Sequence, residues 1–306
     1  MKNRREFIIK SGLAIISLPF LPQISSAKET NVKITILHTN DMHSHIEPLK
    51  NGKHKGMGGM AQRAGLINKI RSEEKHVLLL DAGDIFQGTP YFNFYNGELE
   101  LKLMSRMNYD AATLGNHEFD NGLVGLKKQL NNATFPFLIA NYDFSATILK
   151  DTFKAYKIFK KGGIRIGVFG IGIKLDGLVP KKLYGETIYK DPIEAANCYA
   201  KLLRKKRCDL VICLSHLGHK YETKEISDIQ LAKQTRNINL IIGGHTHSFL
   251  KKPISIINLD GKEVLINQVG WAGINLGKID FHFRQNGSRK KVSGSSISIK
   301  STSKNT

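Results

Sequence analysis

Apolar residues recur along the chain in short runs, and the stretches between several of these runs have helical spacing. Lys33–Leu37 alternates before a polar cluster, whereas Val77–Leu80 is an unbroken apolar run of the kind buried on both faces of a sheet. The same pattern predicts further strands at Ala111–Leu114, Phe137–Ala140, Arg165–Ile171, Asp209–Leu214, Asn239–Ile242, Glu263–Val269 and Leu276–Phe283. On a helix over Met60–Lys75, Ala64, Ile67 and Ile70 share a face. Over Pro192–Lys206, Ile193, Ala196, Ala200 and Leu203 do the same. Strands alternating with helices predict an α/β layered domain. Helices thin out in the later part of the chain, so antiparallel pairing is expected there.

The two ends read differently. Residues 1–27 combine a basic start (Lys2, Arg4, Arg5, Lys10), an apolar stretch from Gly12 to Leu21, and Ser25-Ser26-Ala27, which suits cleavage after Ala27. The apolar stretch is about half the ~20 residues that span a bilayer and contains Pro19, so an export signal is expected and a transmembrane anchor is not. Arg4-Arg5 followed by Glu6-Phe7-Ile8 resembles the bacterial twin-arginine signal, which implies a periplasmic or extracellular protein. From Arg284 onward the chain is rich in Ser, Lys and Gly and reads as a mobile basic tail over 284–306, or at most one weak edge strand. Residues 28–283 read as one domain.

Charge narrows the partners. Lys+Arg 46 against Asp+Glu 26 gives +20, a field that favours anionic partners. The basic residues are 35 Lys and only 11 Arg, whereas a nucleic-acid reader leans on Arg, so no stable nucleic-acid complex is expected. The cysteines, Cys198, Cys208 and Cys213, are odd in number and lack metal-ligand spacing. Cys213 sits in an apolar run as a core residue, and a Cys198–Cys208 bridge is left open.

Candidate chemistry collects where the predicted strands end, the place open α/β sheets put their sites. Those ends carry Asn40-Asp41-Met42-His43, Gly83-Asp84, Gly115-Asn116-His117-Glu118, Ser215-His216 and Gly243-Gly244-His245-Thr246-His247. They supply oxygen and imidazole donors without a thiolate, a set that suits divalent Zn, Mn, Fe, Co or Mg. In extended backbone residues i and i+2 point alike, so Asp41 and His43 are expected to grip one ion, with His245 and His247 facing a shared centre. Asp41, His43, Asp84, Asn116, His216, His245 and His247 exceed what one ion uses. A carboxylate shared by two ions, Asp84 being the best placed, would hold them ~3.5–4 Å apart. Glycines 83, 115, 243 and 244 allow sharp turns and close approach.

These segments resemble the five blocks of calcineurin-like metallophosphoesterases. Leu37-His-Thr-Asn-Asp41, Gly83-Asp-Ile-Phe-Gln-Gly-Thr-Pro90 and Tyr109-Asp-Ala-Ala-Thr-Leu-Gly-Asn-His-Glu-Phe-Asp-Asn-Gly122 are similar to the catalytic domain of the 5′-nucleotidase branch. That branch also holds UDP-sugar hydrolases and cyclic-nucleotide phosphodiesterases. The resemblance, over about Lys33 to Phe283, implies a four-layer α/β/β/α sandwich, two mixed sheets flanked by helices. It implies Asp41, His43, Asp84 and His247 on one divalent ion and Asp84, Asn116, His216 and His245 on the other. It also implies that Asn116 and His117 touch the substrate, and that His117 meets the phosphoryl oxygens and leaving group without being a ligand. Asp120 would orient and charge its imidazole. Water activated by the ions would attack phosphorus in line, releasing phosphate from a nucleotide or small phosphate ester.

Two departures accompany the resemblance. Many nucleotidases of the branch end the last block in Asn or Gln where His247 stands here. They also carry a C-terminal domain that clamps the base, and this sequence stops at Thr306, so base specificity does not carry over. A separate polypeptide could supply that domain, and a phosphodiesterase or a subunit inactive without such a partner are the alternatives. Trp271 and Tyr142 are read as core or rim aromatics, His38 as packing, and His45, His54 and His219 as solvated. The Gly52–Gly59 loop, with Lys53 and Lys55, is expected near the site.

Overall fold

The computed structural model describes residues 31–284 and 288–300, so the export signal read in residues 1–27 lies outside the described residues. The first half of the chain forms β1 (Val32–Thr39), α1 (Met60–Glu73), β2 (Val77–Asp81), α2 (Pro90–Tyr95), α3 (Glu98–Arg106), β3 (Ala111–Ala112), α4 (Gly122–Leu130) and β4 (Tyr142–Asp143). Next come β5 (Tyr156–Lys161), β6 (Ile164–Ile171), α5 (Lys181–Tyr184), β7 (Ile188–Tyr189), α6 (Pro192–Lys205) and β8 (Leu210–Ser215). The last part holds α7 (Asp228–Gln234), β9 (Leu240–Gly243), β10 (Ile254–Ile257), β11 (Glu263–Asn267), β12 (Asn275–Phe283) and β13 (Arg289–Ser298).

The strands make two mixed sheets, in the orders β13-β12-β1-β2-β3 and β10-β11-β9-β8-β6-β5, with β4 and β7 paired separately. Alternation along each strand explains how they stack. Ile34 and Ile36 of β1, Leu78 and Leu80 of β2, Ile166 and Val168 of β6, and Ile212 and Leu214 of β8 all enter one cluster between the sheets. Their neighbours turn outward: Leu37, Val77 and Leu79 pack with Ile67 and Ile70 of α1 and Leu101 and Met104 of α3. On the far side Phe169, Val211 and Cys213 pack with Ala196, Ala200 and Leu203 of α6 and Leu231 of α7. The result is the expected four-layer sandwich, and it explains the unbroken apolar runs, since both faces of each central strand are dry. The start of α6 is set by Asp191, whose side chain accepts from the Ile193 and Glu194 N–H groups at 2.8 Å, followed by Pro192 at the first helical position.

Several expectations need correction. Phe137–Ala140 is not a strand; Phe137 and Leu138 make single bridges to Ala112 and Lys154. The segment from Arg284 is the stronger of its two readings: Arg289–Ser298 pairs antiparallel with β12 as a full edge strand, and Ile299 is buried. Edge strands β5 and β10, whose half-buried pattern is too weak to read, also join the second sheet. The three cysteines are free, Cys198 exposed and the other two buried, so the bridge left open does not form.

Candidate metal centre

β1, β2 and β3 run parallel in one sheet and β6, β8 and β9 in the other, so the loops leaving them can converge. Hydrogen bonds show that they do. Asp41 N–H donates to the Gly83 carbonyl at 2.9 Å, the His245 N–H to Asp41 Oδ1 at 2.9 Å, and the His117 N–H to Asp84 Oδ1 at 2.9 Å. Gly115 has to be glycine, because a Cβ there would lie 2.2 Å from Asp84 Oδ1 and 2.7 Å from His216 Nε2.

The backbone at five of the seven candidate ligands is left-handed. Asp41, His43, Asp84, His245 and His247 have φ of +49°, +44°, +55°, +72° and +51°. L residues visit this region rarely and at a cost of order 1–3 kcal/mol each, and such strain clusters at functional sites. Extended backbone, the basis for pairing Asp41 with His43 and His245 with His247, is therefore not what aims these side chains. His245 and His247 also part company. One ligand atom each of Asp41, His43 and His247 lie within 4.8 Å of one another, and so do those of Asp84, His216 and His245. Asn116 joins the second group, its Oδ1 3.0 Å from His245 Nδ1. Asp84 Oδ2 lies between the groups, 2.9 Å from His216 Nε2 and 3.9 Å from His43 Nε2.

His117 also comes within ligand reach of His43 and Asp84. Its Nδ1 is 2.8 Å from Asp120 Oδ2, which leaves only Nε2 free. Burial lowers the His117 pKa, but the bond to Asp120 and the charges of Asp84 and Asp120 outweigh it and the net shift is upward. His43 and His245 go the other way: burial is the main cause, and each is pulled down to about 4, neutral and ready to ligate at pH 7.

A divalent ion fits this donor set. His216 is fully buried, and its Nδ1 faces the Ala82 carbonyl at 2.6 Å. Its Nε2 lies 2.9 Å from Asp84 Oδ2 and is buried, so a cation held between them would satisfy both atoms. Burial lowers the His216 pKa, yet the Asp84 and Asp41 carboxylates overcome it and raise it to about 10. Without cations, protons offset the buried carboxylates, since burial also raises the Asp41 pKa well above its ordinary value; a divalent ion can take their place.

Glu118 has a role that its place in a block did not reveal. Buried, it accepts from the Gly115 and Asp84 N–H groups through Oε2 (2.6 and 3.0 Å) and from Ile85 and Phe86 through Oε1 (2.8 and 3.3 Å). One carboxylate thus ties the loop after β2 to the loop after β3. Gln268 does similar work on the last block, its side chain bonding the Gly244 carbonyl, the Ser248 N–H and, at 3.1 Å, the Thr246 hydroxyl. Arg63, on the buried face of α1, donates to Met42 Sδ beneath the first block.

The site opens into a cavity of ≈ 450 Å³ lined by His43, His45, Asp84, Gln87, Asn116, His117, His245, His247 and Trp271. Trp271 is a rim aromatic, stacked on His247 at 5.9 Å. His45, read as solvated, stands at this rim with its ring edge-on to Trp271 at 5.2 Å. Tyr142 is core, its hydroxyl bonded to the Ile173 carbonyl. His38 is buried against Asn267 at 3.0 Å, pushed down to about 3 by burial. His54 stacks on Phe249. The Gly52–Gly59 loop, with Lys53 and Lys55, does not line the cavity; the Gly58 N–H is tied to the Ile299 carbonyl at 3.0 Å.

Residues 34–249 match the calcineurin-like phosphoesterase family, and the chain belongs to it. Among the proteins it resembles are 5′-nucleotidases. It is 34% identical over 288 residues to the snake venom 5′-nucleotidase of Crotalus adamanteus, covering 87% of this chain and 48% of that protein. It is 33% identical over 287 residues to the trifunctional nucleotide phosphoesterase of Bacillus subtilis, covering 83% of this chain and 18% of that one. The structure of a 5′-nucleotidase precursor from Thermus thermophilus superposes with a TM-score of 0.80 at 33% identity, covering 88% of this chain and 55% of that one. The chain thus spans about half the length of the venom relative it matches.

Proposed function

We propose that this protein is an exported phosphohydrolase with two divalent ions that releases phosphate from nucleotides or related phosphate esters. The observation that carries the reading is the meeting of two buried carboxylates and four imidazoles, all but His216 on strained backbone, with the His117–Asp120 pair beside them. Asp41, His43, Asp84 and His247 would hold one ion and Asp84, Asn116, His216 and His245 the other. The ions, when bound, supply neutralisation of the phosphoryl charge and activation of water. Everything else falls to the chain. Asp120 keeps His117 Nδ1 protonated and holds the ring in place, so that Nε2–H can donate to phosphoryl oxygen and then to the departing ester oxygen. Asn116 fixes the position of the phosphate beside it, and Glu118 holds both loops at the separation this requires.

Export rests on the composition of residues 1–27 and on relatives whose name marks them as venom proteins. Among the described residues no helix is long and apolar enough to cross a membrane. A second reading, a phosphodiesterase, is favoured by the likeness to the trifunctional nucleotide phosphoesterase. Phosphate release from AMP, UMP and p-nitrophenyl phosphate tests the proposal, with UDP-glucose, 2′,3′-cyclic AMP and bis-p-nitrophenyl phosphate as controls read through the UMP, AMP and p-nitrophenol that their first hydrolysis forms. Turnover of monoesters above the diester supports it, and the reverse supports the second reading. Activity only on addition of a C-terminal-domain protein would make the chain one subunit of the enzyme.

A further inference from the structure

A second cavity, of ≈ 750 Å³, adjoins the site, and the two share His45 as a wall. The strap between them is held tightly. A Cβ on Gly88 would lie 2.8 Å from the His43 carbonyl oxygen, and the Thr89 hydroxyl donates to the Ser44 carbonyl at 2.9 Å. The short helix α2 just after it presents Tyr91, Phe94 and Tyr95 to this groove, opposite Ile46, Pro48 and Leu49. Phe94 is 80% exposed and Tyr95 50%, a large apolar surface to leave facing water. The charged residues of the groove cancel, since Lys50 Nζ lies 2.8 Å from Glu47 Oε2. A phosphate gains nothing there, whereas a flat uncharged ring gains stacking surface, with Glu47 and Lys50 within the same cavity as hydrogen-bond partners.

We propose that this groove holds the base of a nucleotide whose phosphate lies in the adjoining metal-centre cavity; this rests on the phosphohydrolase reading and adds to it a base subsite within this chain. Stacking a base on an aromatic ring is worth on the order of tenfold to a hundredfold in binding. The test compares wild type with Phe94→Ala/Tyr95→Ala, both at exposed positions, on AMP and on ribose 5-phosphate, which has no base. The ratio of kcat/KM for AMP to that for ribose 5-phosphate is expected to fall about tenfold or more, with KM carrying most of the change. The ring-conserving pair Phe94→Tyr/Tyr95→Phe is expected to keep the ratio. A ratio within about twofold of wild type in the Ala variant overturns the groove. Equilibrium dialysis of adenosine reads the groove without chemistry. If the wild-type protein, loaded with metal, hydrolyses neither ester, the phosphohydrolase reading fails by itself. Adenosine binding weakened about tenfold in the Ala variant still supports the groove, and no adenosine binding up to about 10 mM overturns it.

Discussion

Replacing Glu118 with Gln removes one charge and almost no volume, so the cost is set by the hydrogen bonds around it. Both carboxylate oxygens are used, each by two backbone N–H groups: Gly115 and Asp84 on one, Ile85 and Phe86 on the other. An amide has a single acceptor oxygen. Whichever way it turns, its NH₂ faces two N–H donors, so two bonds are lost and two donors are left unpaired. Hydrogen bonds to a charged group are worth about 1.5–3 kcal/mol each, partly offset because a buried carboxylate no longer has to be desolvated. The net loss is about 2–4 kcal/mol, or roughly 3–7 °C in Tm for a chain of this size. The same bonds position Asp84 and the segment leading to Asn116, so affinity for a divalent ion is expected to fall 10–100-fold. Thermal melts of metal-free protein and calorimetric titration with Mn²⁺ measure the two effects separately. A competing effect is built into the same site. Burial and the Asp84 charge push the Glu118 pKa up while the N–H groups pull it back. If the residue is protonated in the fold, the amide is a close replacement. An unchanged Tm and an unchanged metal affinity would therefore refute the reasoning.

The same geometry gives further expected outcomes. His117→Asn is expected to lower kcat by ~10²–10⁴ with metal content intact; metal analysis showing a lost ion would make His117 a ligand instead. Asp120→Asn removes the main cause that raises the His117 pKa, so the loss of kcat as pH rises through that pKa should move to lower pH. A pH–kcat profile identical to wild type would remove Asp120 from the role given to it. Since His216 is held at about 10 by its carboxylates and burial raises Asp41 as well, metal binding near pH 7.5 should release at least one proton per chain. Calorimetry in buffers of differing ionisation enthalpy measures that number, and zero would contradict the cation-for-proton exchange.

Most of the layered fold was legible because its central strands are buried on both faces, and Val77–Leu80 or Leu210–Leu214 then announce themselves as unbroken apolar runs. Edge strands lack that signal. β5, with Lys157, Lys160 and Lys161, and β13, with Ser and Lys at most positions, are recognised as strands only by their pairing. The candidate ligands were legible from residue type and position at strand ends. Their aim was not, because left-handed backbone at Asp41 or His245 has no mark in a sequence unless glycine stands there, and the i, i+2 rule then misleads. The supporting residues were the least visible. Glu118 and Gln268 act through backbone groups brought together from distant loops, and Arg63 is a charge on a face expected to be apolar.

The measurement that bears most directly on the central claim is a metal titration of purified protein, with bound Mn²⁺ and phosphate release from AMP monitored in the same samples. Two ions per chain are expected, with turnover rising as the second site fills. Asp84→Asn, which removes the shared carboxylate, is expected to lose activity by on the order of 10³-fold or more. Full activity at one ion per chain, or two bound ions in Asp84→Asn with unchanged turnover, would contradict the account.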